Sequence, residues 1–192
     1  DKPSLEIARL QAKRDADEPK VAPDPEVGKR LVEAVYGNSE KSLAPLTPYG
    51  QELLERAKSL NLNRHQLLTL ASVIQKEAGN VLEMPLISAV FHNRLKRGIP
   101  LQADPTVIYG ITDFDGNLTR KHLQTPTPYN TYKKRGLPIG PIASPGRFAL
   151  HATVNPVVSK DLYFVARGDG THEFNATLKG HNRAVRRYQL RR

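Results

Sequence analysis

Glu77 is the residue whose type and position most clearly indicate chemistry. It lies in SVIQKEAG, residues 72–79, at the end of a leucine-rich stretch that predicts a buried helix starting near Asn63. The apolar positions of that helix are Leu67, Leu70, Ala71, Val73, Ile74 and Ala78. Because an ideal helix turns by about 100° per residue, Glu77 lies roughly −20° from Leu70, inside the apolar arc. Lys76 lies at about 240°, on the opposite side, and cannot be its partner.

A carboxylate on a core face has to be paired, hydrogen-bonded or neutral, because burying an isolated charge is costly. A neutral carboxylate has a raised pKa, and burial can lift the pKa of a glutamate from about 4.3 toward ~6–7, as general acid catalysis near neutral pH requires. The other interpretation is that the last turn leaves the core, so that Glu77 is half-exposed or bonded to neighbouring backbone. The helical position alone leaves both open.

The composition is that of a globular protein with a strong positive charge. Of 192 residues, 39% are hydrophobic and 25% are charged, near the averages of folded domains. The length fits one domain, with or without an appendage. Lys and Arg number 29 against 19 Asp and Glu, giving a net charge of +10. Such a charge favours a polyanionic partner such as nucleic acid, anionic lipid or an acidic polymer.

The sequence offers no support for a disulfide-rich or a membrane-spanning protein. It contains no cysteine, and therefore neither a disulfide framework nor a thiolate zinc site. No stretch approaches the ~18 apolar residues that cross a bilayer. The chain begins at Asp1 with no signal peptide, so we expect a processed or truncated portion of a longer protein.

The first part of the chain carries less structural signal than the rest. Residues 1–44 include DADEPKVAPDPEVG, whose prolines and acids are typical of a linker or of a remnant of an upstream region. Short helical patterns at 5–14 and 25–36 predict partly ordered helices there. We expect the folded domain to occupy residues 45–192.

Four helices are predicted between residues 47 and 156 of this domain. The first is TPYGQELLERAKSLNL, and the second begins with Asn63 as its N-cap. The third is EMPLISAVFHNRLKRG, with Pro85 in its first turn and Gly98 as its stop, and we expect it to pack on the second. In SPGRFALHATVNP, Ser144 is the predicted cap of a short helix that has Pro145 at its first position.

The remainder predicts an α+β fold. Residues 99–142 carry many prolines and glycines and show no clean period, and long irregular segments in compact domains are often functional. LYFVARGDGTHEFN alternates as two strands that turn at Asp169 and Gly170, and residues 177–188 predict a basic helix. We therefore expect a helical N-terminal half, an irregular active-site segment, and a small antiparallel sheet with a hairpin and a C-terminal helix.

Four blocks of the sequence resemble one known family. ASVIQKEAG, AVFHNRLKRGIPLQADPTVIYG, TPTPYNTYKKRGLPIGPIASPG and YFVARGDGTHEFNATLKGHN are similar, in this order and at these intervals, to the catalytic domain of the YceG-like (MltG) endolytic murein transglycosylases. The similarity covers roughly residues 60–190. It implies that Glu77, at the second acid of the family's Glu-Lys-Glu motif, is the catalytic residue.

The resemblance also implies a reaction, which needs no metal or other cofactor. Protonated Glu77 gives its proton to the glycosidic oxygen between N-acetylmuramic acid and N-acetylglucosamine. As a carboxylate it then takes the proton of the muramyl C6 hydroxyl, which attacks C1 and closes a 1,6-anhydro ring. The implied partners are peptidoglycan glycan strands and peptidoglycan synthases, not nucleic acid. In the family, an N-terminal transmembrane helix holds this domain outside the cytoplasmic membrane of a bacterium.

An oxocarbenium-like centre needs electrostatic stabilisation, and the irregular segment is the natural source of polar groups around it. The predicted substrate-binding residues are Gln102, Asp104, Tyr109, Thr127, Tyr129, Asn130 and Thr131. In YNTY, Tyr129 and Tyr132 can offer flat faces to sugar rings. Other interpretations stay open, since Asp104 before Pro105 can tie a turn and Tyr109 can belong to the core.

The chain departs from the family pattern in two places. The first acid of the motif is Gln75 here, so the motif supplies one carboxylate, which favours Glu77 as the sole acid and base. The family's aromatic segment, a Gly-Tyr-Leu-Phe-Pro-like run, is not recognisable in residues 1–60, and neither is most of a LysM-like subdomain. We therefore leave open whether the substrate groove is complete.

Two other functions compete with this hypothesis. A nucleic-acid-binding module would explain the charge and the interspersed tyrosines, although it gives no reason for Glu77. A non-catalytic murein-binding scaffold is suggested by Gln75 and by the unrecognised upstream segment. Salt dependence of binding and the need for Glu77 would distinguish these functions.

The C-terminal part carries polar and basic residues whose role the sequence leaves open. One set could be imagined as metal ligands but lacks a recognised spacing, so we favour a structural or cleft-lining role. These residues are His172, Glu173, Asn175, His181 and Asn182. The basic stretch RAVRRYQLRR is either a solvated face or a surface that lies against anionic lipid or murein.

Overall fold

The computed structural model describes residues 48–190. Within this range the chain forms seven α-helices, a short 3-10 helix and a two-stranded sheet. The α-helices are α1 (Pro48–Ser59), α2 (Arg64–Glu77), α3 (Met84–Lys96), α4 (Asp104–Tyr109), α5 (Arg120–Gln124), α6 (Arg147–Val154) and α7 (Leu178–Tyr188). The 3-10 helix is Val81–Glu83, and the strands are β1 (Tyr163–Ala166) and β2 (His172–Asn175).

Helix α2 lies at the centre of the core. Its start is a capping box, in which Asn63 Oδ1 accepts the Gln66 N–H at 2.9 Å and Gln66 Oε1 accepts the Asn63 N–H at 2.9 Å. The N-cap predicted at Asn63 is thus confirmed. The side chains of Leu70 and Ile74 are fully buried, as their spacing predicts.

Helices α1, α3 and α6 pack around α2, and α3 also carries the sheet. Helix α6 contacts α1, α2 and α3, while α2 contacts α3 directly, as expected for the second and third predicted helices. Phe91 of α3 meets Phe164 of β1 edge to face, with ring centroids 5.9 Å apart. One continuous core therefore fixes the end of α2 relative to the sheet.

The predicted start of α6 is wrong. The helix begins at Arg147, with Gly146 as an N-cap that has no side-chain cap, and not at Ser144 and Pro145. The Gly146 N–H instead donates to Gln75 Oε1 of α2 at 3.0 Å. A partner distant in sequence holds this loop, so the local Ser-Pro signal is not used as a cap.

The segment 99–142 is less irregular than its sequence indicates, because it contains α4 and α5. Helix α4 has Pro105 in its first turn, and α5 is capped by Thr119, whose Oγ1 accepts the His122 N–H at 3.3 Å. Helices of five or six residues are too short to display an apolar period. Their existence is therefore decided by caps and tertiary contacts.

The hairpin predicted at Asp169 and Gly170 is confirmed. The strands pair antiparallel from Tyr163 with Asn175 to Ala166 with His172. In the connecting loop, Asp169 Oδ1 accepts the Thr171 N–H at 2.9 Å. The terminal helix α7 then packs on both strands. The α+β class is confirmed in its helical first half, its small antiparallel sheet and its C-terminal helix.

Several predictions are not tested by this structure. The helical patterns at 5–14 and 25–36 lie outside the described residues. The boundary between residues 44 and 45 also stays a prediction. Among the helices within 48–190, none has the length and apolar character needed to cross a bilayer.

Candidate functional site

Glu77 is the last residue of α2, and its side chain is half-buried. The half-exposed position given by the alternative interpretation is thus observed. The carboxylate forms no hydrogen bond or ion pair with any residue between 48 and 190, so bonding to neighbouring backbone does not hold in this range. Burial and, secondarily, the negative charge of Asp104 raise the pKa of Glu77 to about 8. The carboxyl group therefore holds a proton at neutral pH.

Asp104 and Tyr132 lie beside this carboxyl group. Asp104 is exposed at the start of α4, and the Tyr132 hydroxyl donates to its Oδ1 at 2.5 Å. Burial, this hydrogen bond and the nearby Asp104 and Glu77 charges raise the pKa of Tyr132, so its phenol stays protonated. We call Glu77, Asp104 and Tyr132 the acidic cluster. The motif supplies one of its carboxylates, and the fold adds a second from the irregular segment.

Gln75, at the first acid position of the motif, is not part of the acidic cluster. Its Oε1 accepts the Gly146 N–H and ties α2 to the start of α6. A neutral amide suits this contact, because its carbonyl oxygen provides the acceptor without a second buried charge. Gln75 thus supports the end of the helix that carries Glu77.

Tyr109 and Tyr129 form an aromatic pair within the segment 99–142. Their rings meet edge to face at 4.7 Å between centroids. Tyr129 is buried, and burial is the first cause that raises its pKa to about 12; Tyr109 is half-buried. This arrangement agrees with the core interpretation of Tyr109. The assignment of both tyrosines to substrate binding stays a prediction.

Asn130 holds the YNTY turn from the inside. Its side chain has 0% exposure, and its Oδ1 accepts the Tyr132 N–H at 2.8 Å. Its backbone N–H donates to Thr127 Oγ1 at 3.0 Å. The amide Nδ2 donates to the backbone carbonyls of His122, Leu123 and Thr125. Asn130 therefore orients the backbone of Tyr132, and a direct contact with substrate stays a prediction.

Thr131 has a similar position. Its Oγ1 accepts the Ala103 N–H at 3.0 Å and shares a hydrogen bond with Thr106 Oγ1 at 2.8 Å. It is buried, and its contacts join the YNTY turn to the start of α4, next to Asp104. The predicted site residues Asp104, Asn130 and Thr131 thus come together with Glu77, two of them as internal supports.

The hairpin closes one side of the end of α2. A Cβ atom at Gly79 would lie 2.9 Å from the Gly170 carbonyl oxygen, so only glycine allows this approach. Glu83 fastens the same hairpin, because its carboxylate accepts the His172 N–H at 3.0 Å and contacts His172 Nδ1 at 2.8 Å. These contacts give His172 a structural role at the border of the site.

Arg94 is a charged residue near the acidic cluster that the sequence analysis did not select. It lies on α3 with 6% exposure, and its guanidinium lies 5.0 Å from the centre of the Tyr163 ring. Its positive charge lowers the pKa of Tyr132 against the larger effects that raise it. Helical spacing could have indicated Arg94 as a charged residue on a core face. It lies roughly −20° from Ile87 on α3, the same angle that separates Glu77 from Leu70 on α2.

The outward face of α7 is basic. Arg183, Arg186, Arg187 and Leu190 are exposed and line an open depression. The helix contains no acidic residue, and like charges three and four positions apart repel each other. Both interpretations of this stretch, a solvated face or a surface for an anionic partner, remain predictions.

This chain belongs to the YceG-like family, whose sequence model matches residues 20–187. It is 40% identical over 140 residues to the endolytic murein transglycosylase of Bacillus subtilis, which covers 73% of this chain and 39% of that protein. It is 33% identical over 141 residues to the endolytic murein transglycosylase of Streptococcus pneumoniae strain D39, covering 71% of this chain and 24% of that protein.

A solved structure shows the same fold. The crystal structure of a yceG-like protein from Listeria monocytogenes aligns with a TM-score of 0.64 and 29% sequence identity. The alignment covers 94% of this chain and 70% of that one. The chain thus matches most of the solved structure, whereas it spans only 39% and 24% of the two curated relatives.

Proposed function

We propose that this chain is the catalytic part of a lytic transglycosylase that cleaves the bond between N-acetylmuramic acid and N-acetylglucosamine in nascent peptidoglycan strands. The observation that carries the proposal is Glu77, a half-buried carboxyl group that has no hydrogen-bond or ion-pair partner among residues 48–190 and whose pKa is raised to about 8. Such a group is protonated at neutral pH and can donate to the glycosidic oxygen. The curated relatives named endolytic murein transglycosylases support the substrate class.

Glu77 acts twice in this mechanism. Its proton moves to the glycosidic oxygen while the bond to muramyl C1 breaks and the N-acetylglucosamine side leaves as an alcohol. The remaining carboxylate takes the proton of the muramyl C6 hydroxyl, whose oxygen forms the new bond to C1. The raised pKa serves both steps, because it keeps the acid protonated beforehand and makes the carboxylate a stronger base afterwards. No water is consumed.

Asp104 has an electrostatic role. Positive charge develops on the sugar ring as the glycosidic bond breaks, and a fixed carboxylate close to Glu77 stabilises it. The Tyr132 hydroxyl holds one oxygen of Asp104, which favours a fixed counter-charge over a mobile nucleophile. The nucleophile in the proposal is the C6 hydroxyl of the substrate itself.

The remaining site residues are proposed to have two different roles, contact with the glycan and support of the site. Gln102 and Tyr132 lie at accessible or half-buried positions and are proposed to touch the glycan. Tyr109, Thr127, Tyr129, Asn130 and Thr131 are proposed to shape the wall of the site. We further propose that the parent protein is anchored in the bacterial membrane, with this domain outside the cytoplasm, and acts beside peptidoglycan synthases. That last proposal rests on the family resemblance alone.

Mass spectrometry of the products tests the reaction. Uncrosslinked glycan strands are incubated with the wild type and with Glu77→Gln, which keeps the shape of the side chain and removes the proton donor. The matched control is Glu55→Gln, the same change at an exposed position of α1. We expect the wild type and the control to give products one water lighter than hydrolysis would, and Glu77→Gln to give none.

The other outcomes have distinct meanings. Products with the full mass of hydrolysis would show a glycosidase that uses water as its nucleophile. Cleavage by Glu77→Gln at the wild-type rate would exclude Glu77 as the acid. Binding of strands by the wild type without cleavage would favour the non-catalytic scaffold.

A further inference from the structure

Gln102 has a strained backbone next to the acidic cluster. Its φ angle is +53°, in the left-handed region that residues other than glycine rarely adopt. Two contacts hold it there: the Gln102 N–H donates to the Thr131 carbonyl at 3.2 Å, and the following N–H of Ala103 donates to Thr131 Oγ1 at 3.0 Å. Such strain persists where the surroundings impose it, and it is often found at functional sites.

Arg94 fixes the side chain of this residue. Its Nη1 donates to Gln102 Oε1 at 3.1 Å and to the Pro100 and Leu101 carbonyls at 2.9 and 2.8 Å. Its Nε donates to the Leu162 carbonyl at 2.6 Å. Arginine can only donate, so the amide of Gln102 has to turn its oxygen toward Arg94 and its nitrogen away.

The amide nitrogen is therefore left as a free donor. Gln102 is exposed, and its Nε2 donates to no residue in the described range. It lies two residues before Asp104, at the entrance of the helix that completes the acidic cluster. The two N–H groups of this amide are therefore turned away from Arg94, on an exposed residue that shares the start of α4 with Asp104.

We propose that Arg94 is a positioning residue, which acts by orienting Gln102 so that the amide NH2 donates a hydrogen bond to an acceptor oxygen of the amino sugar. This inference rests on the proposed function, because it assigns a contact to the same glycan. It explains two features together: a strained residue other than glycine at position 102, and a buried cation with no acidic partner in the described part of the chain.

Two substitutions of Gln102 separate donation from structural support. Gln102→Glu keeps the shape and the acceptor for Arg94 but removes both donors. Gln102→Gly removes the side chain and relieves the left-handed backbone. We expect both variants to melt at or above the wild-type temperature, with kcat/KM about tenfold lower, chiefly through a higher KM. Gln51→Glu, at an exposed position of α1, controls for the added negative charge.

Arg94→Lys, alone and combined with Gln102→Gly, tests the positioning role. Lysine keeps the charge but cannot reproduce the guanidinium fork. We expect Arg94→Lys alone to lower kcat/KM about as much as the Gln102 variants do, and to add little when Gln102 is already glycine. Additive losses of activity would overturn the positioning role of Arg94.

The outcomes keep this inference separate from the proposed function. If the wild type forms anhydro products and both Gln102 variants match its kcat/KM, the donor role is wrong while the proposed function stands. If the wild type and Gln51→Glu form none, the proposed function fails and the inference with it. If Gln102→Glu melts at a lower temperature than the wild type and its kcat/KM falls as well, the residue only supports the structure, and the donor role is also overturned.

Discussion

Helices α2 and α3 each place one charged residue at a core position near their C-terminal ends, and the two residues differ in their hydrogen-bond partners. Glu77 lies roughly −20° from a buried Leu70, and Arg94 lies at the same angle from a buried Ile87. Arg94 donates four hydrogen bonds, three of them to backbone carbonyls. Glu77 receives none from the described residues, and its pKa rises to about 8.

This difference separates a charge that supports the fold from one proposed to act in catalysis. A buried cation such as Arg94, whose Nε and Nη1 both donate hydrogen bonds, is a structural element, because its desolvation is offset by charge-assisted hydrogen bonds. A carboxyl group without such partners is destabilising when ionised, and this destabilisation is what keeps it protonated and ready to donate. The chain thus carries one charge that supports the fold and one that the fold leaves unsupported.

The largest expected effect is on catalysis by Glu77. Removal of its proton in Glu77→Gln should lower kcat by about 10²–10⁴, the usual contribution of general acid and base catalysis. Single-turnover cleavage of glycan strands measures this loss, and circular dichroism checks that the variant is folded. A variant within a factor of two of the wild type would contradict the proposed role.

The next largest effect is on stability at Arg94. Arg94→Met removes the donor to three backbone carbonyl oxygens, two in buried contacts and one in a part-buried contact, so we expect a loss on the order of 3 kcal/mol in the free energy of unfolding. Urea denaturation at pH 7 measures it. Glu77→Met should be neutral or stabilising under the same conditions, and equal losses from the two variants would remove the contrast between the helices.

The stability of Glu77→Gln should depend on pH. Between pH 4.5 and about 8 the folded wild type keeps a proton on Glu77 that the unfolded chain releases, so its stability falls as pH rises through this window. Glutamine does not titrate and escapes this loss. We expect equal stability near pH 4 and a variant more stable by roughly 4–5 kcal/mol at pH 9, since each pH unit between 4.5 and about 8 contributes about 1.4 kcal/mol.

Thermal melting of both proteins from pH 4 to pH 9 measures this difference. Parallel curves across the whole range would show that Glu77 has an ordinary pKa in the folded protein. A growing advantage of the variant toward acidic pH would have the wrong sign for a carboxyl group with a raised pKa.

The smallest effect concerns Asp104. Its negative charge is the second cause of the raised pKa of Glu77, so Asp104→Asn should lower that pKa. The alkaline limb of the pH profile of kcat/KM should then move to lower pH. At pH values below this limb, kcat/KM should also fall, because the negative charge of Asp104 no longer stabilises the positive charge on the sugar. An unchanged limb would mean that burial alone sets the proton affinity of Glu77.

Much of the fold could be predicted because its signals are local. The cap at Asn63, the apolar spacing of α2 and the turn at Asp169 and Gly170 depend on residues close in sequence, and each is confirmed. The start of α6 could not be predicted, because no side chain caps it and Gln75, distant in sequence, accepts the Gly146 N–H. Helices α4 and α5 were missed because five or six residues give no period.

For the candidate site, the sequence by itself determined Glu77 as a carboxylate in an apolar arc, since helical periodicity is a property of neighbouring residues. Only the tertiary structure decided that no described residue pairs with it, that Asp104 and Tyr132 stand beside it, and that Arg94 and Gln102 form a unit. Burial and hydrogen-bond partners depend on segments far apart in the chain. The raised pKa of Glu77 is therefore a property of the fold.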